Sequence, residues 1–150
     1  MIQIKTKKVK QKLLTNKIAN ILNDIAEIVS GQIKEDVDKG VGVKGKLKAL
    51  KSSTIKAKRK RGSRNARKPL IDTGKMVDVQ ITKTATGKSL MSEIDVVRSM
   101  RKIAEYHNVG AGHLPKREWF GVNKKSVTRV NKVLRAKVRK AIKVSLGRLK

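Results

Sequence analysis

Three kinds of residue in this chain have types and spacings that could do chemistry: glycines beside lysines, histidines, and carboxylates. The run Gly40-Val41-Gly42-Val43-Lys44-Gly45 has the G-x-G-x-x-G spacing of a dinucleotide-binding turn. That chemistry needs a strand before the glycines and a helix after them, so that a pyrophosphate meets a helix N-terminus. Here a helical pattern precedes and a basic stretch follows, so the run reads as turn glycines beside abundant lysines. Gly40, Gly45 and Lys46 also approach a phosphate-binding loop, but Leu47 stands where a Ser or Thr must hold magnesium. Gly87-Lys88-Ser89 is a second near miss, with Thr82 in the place of the first glycine. Asp36, Asp38 and Gly40 hint at a calcium loop that no glutamate closes. His107 and His113 could both face a metal. Without cysteine or periodic carboxylates beside them, hydrogen-bonded structural histidines are the expected reading. The 11 acids are scattered, with no paired carboxylates and no nucleophile beside an orienting base. No catalytic residue, metal ligand or cofactor is assigned, and the chain is expected not to be an enzyme.

What the chain has in excess is positive charge. Lysine and arginine total 39, for a formal charge of +28 over 150 residues. Such a charge repels itself in a compact state and asks for a polyanion or an acidic protein nearby. From Lys39 to Lys68 there are thirteen basic residues and no acid. The densest part is Lys56-Ala57-Lys58-Arg59-Lys60-Arg61, followed by Arg64, Arg67 and Lys68. Like charges at this density disfavour a compact element of their own. The expectation is a short helical piece around 53–58 and then a mobile basic loop, with Lys56, Lys58, Arg59, Lys60, Arg61, Arg64, Arg67 and Lys68 contacting DNA or a partner. There is no cysteine, hence no disulfide framework. No apolar h-region opens the chain and no apolar run is long enough to span a bilayer, so neither a signal peptide nor a membrane partner is expected.

The elements that must position these residues follow from periodicity. Residues 1–8 read as a frayed or extended start. From about Val9 to Asp38, Leu14, Ile18, Ile21, Ile25 and Ile28 step by four and three, a helical stripe that Leu13, Leu22, Val29 and Ile33 widen. This helix, roughly 40 Å long at 1.5 Å per residue, serves either as a core helix or as one that also packs on a neighbouring subunit. Gly40 is a natural stop. Pro69-Leu70-Ile71-Asp72-Thr73-Gly74 is turn chemistry. Val77, Val79 and Ile81 then alternate with polar residues as a strand, 84–88 turns, and Leu90, Ser92, Ile94 and Val96 return. A short helix is expected over 98–104. The three aromatic residues, Tyr106, Trp119 and Phe120, crowd with both histidines into 105–121, read as a structured loop on which the other elements converge. Asn123 caps a last helix with Val127, Val130, Leu134, Val138, Ala141 and Ile142 on one face. After Glu118 eleven basic residues follow and no acid. The fold class is α+β: one domain over 1–150, with a long N-terminal helix, an antiparallel β-hairpin or small sheet, a C-terminal helix, and a basic loop at about 40–68.

Four short segments, in order, carry a resemblance. They are Leu47 to Arg59, Lys68-Pro69-Leu70-Ile71-Asp72-Thr73-Gly74-Lys75-Met76, Ala104-Glu105-Tyr106-His107-Asn108-Val109-Gly110, and Leu114-Pro115-Lys116-Arg117-Glu118-Trp119-Phe120-Gly121. Over roughly 10–145 the chain resembles the virion morphogenesis, or tail completion, proteins of Mu-type tailed bacteriophages. Met76 stands for that family's leucine, and Trp119-Phe120 for its aromatic-leucine pair. The resemblance implies a structural virion protein of the head–tail connecting region, assembled in the host cytoplasm. It would form a hexameric or dodecameric ring of its own copies around the DNA channel and join tail to head. Its partners would be neighbouring neck and tail proteins and the genomic DNA in the channel. Asp72, Thr73, Gly74, Tyr106, His107, Gly110, Pro115, Arg117, Trp119 and Phe120 are expected to be structural. The other reading, on charge alone, is a sequence-nonspecific basic nucleic-acid-binding protein. A nucleic-acid enzyme would need an acidic metal-ligand cluster that the sequence lacks.

Overall fold

A computed structural model describes residues 3–147, with side chains from 14 to 144. The chain is α+β, with two small antiparallel sheets of two strands each. The first helix, α1 (Gln3–Asp38), starts earlier than the periodicity suggested. Residues 3–8, expected to be extended, are helical in backbone; they contain no Gly or Pro and are mostly good helix formers. It stops where Gly40 takes a left-handed φ of 72° and its N–H reaches back to the Val37 carbonyl at 2.9 Å.

A tight hairpin follows, β1 (Val41–Gly42) with β2 (Gly45–Lys46). The G-x-G-x-x-G run is thus a turn between strands. Gly42 is required there by close approach: a Cβ would lie 2.4 Å from the Glu118 carbonyl oxygen. The Val43 N–H donates to that same oxygen at 2.7 Å. Next come α2 (Ser52–Lys60) and, after a long turn, β3 (Val79–Lys83) paired with β4 (Glu93–Val96). Val79 faces Val96 and Ile81 faces Ile94, with a bulge between Ile81 and Lys83. The connection is longer than expected because α1 holds it. The Asn23 amide donates to the Ala85 carbonyl (3.0 Å), and its oxygen accepts from the Ala85 N–H (2.6 Å) and the Ser92 hydroxyl (2.5 Å). Last come α3 (Arg101–Val109), led by a 3-10 turn at Arg98–Met100, and α4 (Lys124–Gly147).

The helix α1 is apolar on two opposite faces, and each has a use. Ala19, Ala26, Ile33 and Val37 are buried. At about 100° per residue they share one face, and the lower two join Leu47, Ile71, Met76, Val79, Val96, Ala104 and Trp119 in the core. The predicted stripe Ile21, Ile25 and Ile28 lies on the other side, toward α4, and is only half-buried because a single helix covers it. The two helices run antiparallel. Asp36 accepts from the Asn123 amide (2.6 Å) and the Ser126 hydroxyl (3.1 Å), Gln32 from Arg129 (2.5 Å), and Asp24 pairs with Lys137. Asn123 caps α4 through a 3.0 Å bond from the Ser126 N–H. Continued, this register sets Leu14 opposite the last turn of α4 and leaves residues 3–13 of α1 beyond its end.

Candidate contact surface

The expected mobile basic loop is instead wrapped around one of its own lysines. The helix α2 closes on Gly62, whose φ of 74° lets its N–H bond the Arg59 carbonyl at 2.9 Å. The chain then curls back so that the Lys58 ammonium donates to three main-chain carbonyls: Asn65 (2.9 Å), Lys68 (3.0 Å) and Ile71. A lysine has three donors, and here all three are used. Lys58 is 5% exposed and Ala66 is buried beside it. Burial pulls the ammonium below the ordinary lysine range, and the Asp72 carboxylate opposes that shift. Leu70 takes a left-handed φ of 63°, a strained position for a side chain, just before the Ile71 carbonyl that Lys58 binds. Lys58 is therefore corrected: it faces inward and shapes the loop. Lys68 is half-buried and bonds Asp38 at 2.5 Å, tying the loop to the end of α1. Lys56, Arg59, Lys60, Arg61, Arg64 and Arg67 remain exposed. Among these Arg61 pairs with Asp72 at 3.3 Å.

A second buried cation supports the other side of this surface. Arg117, 5% exposed, donates to the carbonyls of Lys48 (2.9 Å) and Ala49 (3.3 Å), fixing the segment that enters α2. Its backbone N–H bonds the His107 carbonyl at 2.8 Å. Burial, then the nearby Arg117 charge, pushes the His107 pKa below its ordinary value, and its Nδ1 is buried without a hydrogen-bond partner. His113 is exposed in the following turn.

The aromatic segment is not one loop. Residues 105–109 belong to α3, which ends at Gly110 with φ 80°, where a Cβ would meet the Lys116 backbone at 2.9 Å. Trp119 is 1% exposed, donates to the Ala104 carbonyl at 3.3 Å and meets Phe120 edge-on at 5.7 Å. Tyr106 is not a third anchor. Ala104 takes the inward position of α3, and Tyr106 faces solvent with the Lys102 ammonium 5.8 Å above its ring. Asn108, which sequence reasoning missed, accepts from the Trp119 and Phe120 N–H groups at 3.0 and 3.2 Å. An Asn one residue before the end of α3 carried no signal beyond its nearness to His107 and Gly110. Pro115 is half-buried, Asp72 and Thr73 are exposed, and Gly74 starts the 3-10 turn Lys75–Val77 with φ 86°.

A cavity of about 840 Å³ lies between the end of α1, the β1–β2 hairpin and the start of α4. Glu35 and Asp36 line it together with Lys39, Lys44, Lys124 and Arg129. Asp36 already occupies the position at the α4 N-terminus that an anion would take. Among the described residues no group of three or more histidines and carboxylates stands as a metal site, and no helix is long and apolar enough to cross a membrane. The arrangement offers a rigid cationic exterior on an aliphatic body. No family model matches the chain, and no curated protein or solved structure gives a match.

Proposed function

We propose that this chain is a non-enzymatic structural protein of the head–tail connecting region of a tailed phage, working as copies in a ring around the DNA channel. The observation that carries the reading is where the resemblance-bearing segments lie. Ile71 and Met76 from the Asp-Thr-Gly turn, Ala104 from α3 and Trp119 from the last loop pack in one core. The cationic residues Arg59, Lys60, Arg64 and Arg67 stand outside it. Docking by charge suits such a body better than chemistry in a pocket. The test is immunogold labelling of purified particles of the encoding phage, with the mass of the isolated chain from sedimentation. Label at the neck and a ring-sized assembly in particles are expected; particles without the chain would sink the reading.

A second reading, sequence-nonspecific binding of duplex DNA, draws on the fixed arrangement of Arg59, Arg61, Arg64 and Arg67 around the Lys58-centred loop. It predicts tight binding by the isolated chain, with log K falling steeply as log salt rises, by roughly 0.9 per phosphate neutralised. Weak binding by the isolated chain leaves the first reading alone.

A further inference from the structure

We infer that the far half of the α1–α4 pair is a docking groove for an acidic amphipathic helix of another protein. The inference concerns a different surface from the α2 loop and stands whether or not the chain belongs to a phage neck. The antiparallel register set by Asp36–Ser126, Gln32–Arg129 and Asp24–Lys137 fixes which flanks of the two helices adjoin. At about 100° per residue, Ile18 and Ile25 of α1 and Leu134 and Val138 of α4 fall on the same side of the seam, with Leu14 at its end. Nothing in the described chain covers them fully: Leu14 is 46% exposed, Ile18 37% and Val138 37%. Two helices side by side with aliphatic residues along one groove are the seat of a third helix presenting anchors at i, i+3 or i+4 and i+7.

Charge selects the occupant. No acid precedes Asp24 and none follows Glu118, whereas six lysines lie in 1–23 and eleven basic residues in 119–150. On α4, Lys132, Arg135, Arg139 and Lys143 are exposed on the side away from the seam. The groove is therefore aliphatic with a cationic surround, and a helix with Leu-type anchors flanked by Glu and Asp complements both features. A second copy would set two acid-free surfaces against each other. Nucleic acid would use the cations but gain nothing from Ile18 or Val138. A lipid interface is served by aromatic anchors, and every aromatic residue of this chain lies between Tyr106 and Phe120.

The test uses the full chain and a labelled synthetic helix with leucine at heptad spacing and glutamate on its flanks. A peptide of the same composition with the leucines out of register is the control. Anisotropy titrations are expected to show at least tenfold tighter binding of the registered peptide, lost at least tenfold in Val138→Asp. Ile18→Asp, on the opposite helix, guards against a folding defect; each variant is checked by circular dichroism and by its unaltered duplex-DNA binding. Equal binding of both peptides would reduce the effect to charge and overturn the proposal. So would loss of binding to phosphatidylglycerol vesicles in either variant with peptide binding intact, or a dimer of the isolated chain that both variants dissolve.

Discussion

The two halves of this molecule handle the same excess charge in different ways. In the body, several cations are matched to an acid or a carbonyl. Lys34 pairs with Asp78, Lys68 with Asp38, Lys44 with Glu118 and Arg101 with Asp95. Lys58 and Arg117 go further and turn inward onto main-chain carbonyls. In the distal half of the α1–α4 pair there is no acid to match, and aliphatic side chains stay half-exposed. A net charge of +28 is thus no uniform property of the surface. The body ties part of it into hydrogen bonds and ion pairs and shows the rest on the α2 loop; the arm carries it outward beside unfinished packing. The surface pairs themselves are each worth little, under about 1 kcal/mol, so the burial and the carbonyl contacts decide where the body is rigid.

The comparison breaks most readily at the body's centre. Trp119→Ala is expected to cost about 3–5 kcal/mol by urea denaturation, since it removes the largest fully buried side chain of the core. Lys58→Met comes next, at roughly 2–4 kcal/mol, because three carbonyls, that of Ile71 buried, lose their donor together. If Lys58→Met unfolds at the wild-type midpoint, the loop does not depend on that ammonium and the internal-matching account fails. Gly110→Ala should cost about 1–2 kcal/mol from left-handed backbone strain alone, and more if the Lys116 backbone cannot yield.

Much of the fold was legible because it rests on periodicity. The two long helices, the Gly40 stop, the Asn123 cap and the Val79–Ile81 and Ile94–Val96 alternation all follow from spacings of two and 3.6. What was hidden is tertiary. A run of like charges reads as solvated coil, and nothing in Lys56 to Lys68 marks Lys58 as the one that turns inward. That follows only once the loop curls, at Gly62 and Leu70, to aim three carbonyls at one point. Tyr106 reads as an anchor because it is aromatic; its helical phase against Ala104 places it outside. The Ile stripe of α1 reads as the core face, yet Ala19 and Ala26 are more buried. Small residues let the hairpin side approach closely, and a hydrophobic pattern does not weight that.

Smaller effects sharpen the boundary between the two halves. Asp36→Ala removes the acceptor of Asn123 and Ser126, where α4 docks on α1, and is expected to cost about 1–2 kcal/mol. Acid acts on the body through His107. Its folded pKa lies below its ordinary value, so the unfolded chain binds the extra proton more readily. Its contribution is complete above about pH 6.5 and declines as pH falls through that value toward the lower folded one. Urea midpoints at pH 7.5 and 5.5 should therefore differ, and His107→Gln should narrow the gap. A gap unchanged by the substitution would mean that other groups carry the acid sensitivity.

The finest test uses one residue type in one helix. Ile33 and Ile18 both lie in α1, at 2% and 37% exposure. Ile33→Ala should cost about 2–5 kcal/mol, the range for a buried aliphatic truncated in a packed core. Ile18→Ala removes the same atoms from a half-open groove. The gain in helix propensity from replacing a β-branched residue with alanine, a few tenths of a kcal/mol, offsets part of that loss, so the net change should stay within about 0.5 kcal/mol. Comparable costs at the two positions would mean that the distal seam is as fully packed as the body, and the division of the molecule into a matched half and an open half would not hold. A cost confined to Ile33 means that the aliphatic residues beyond Ile25 contribute little to folding the free chain, which leaves their burial to a partner.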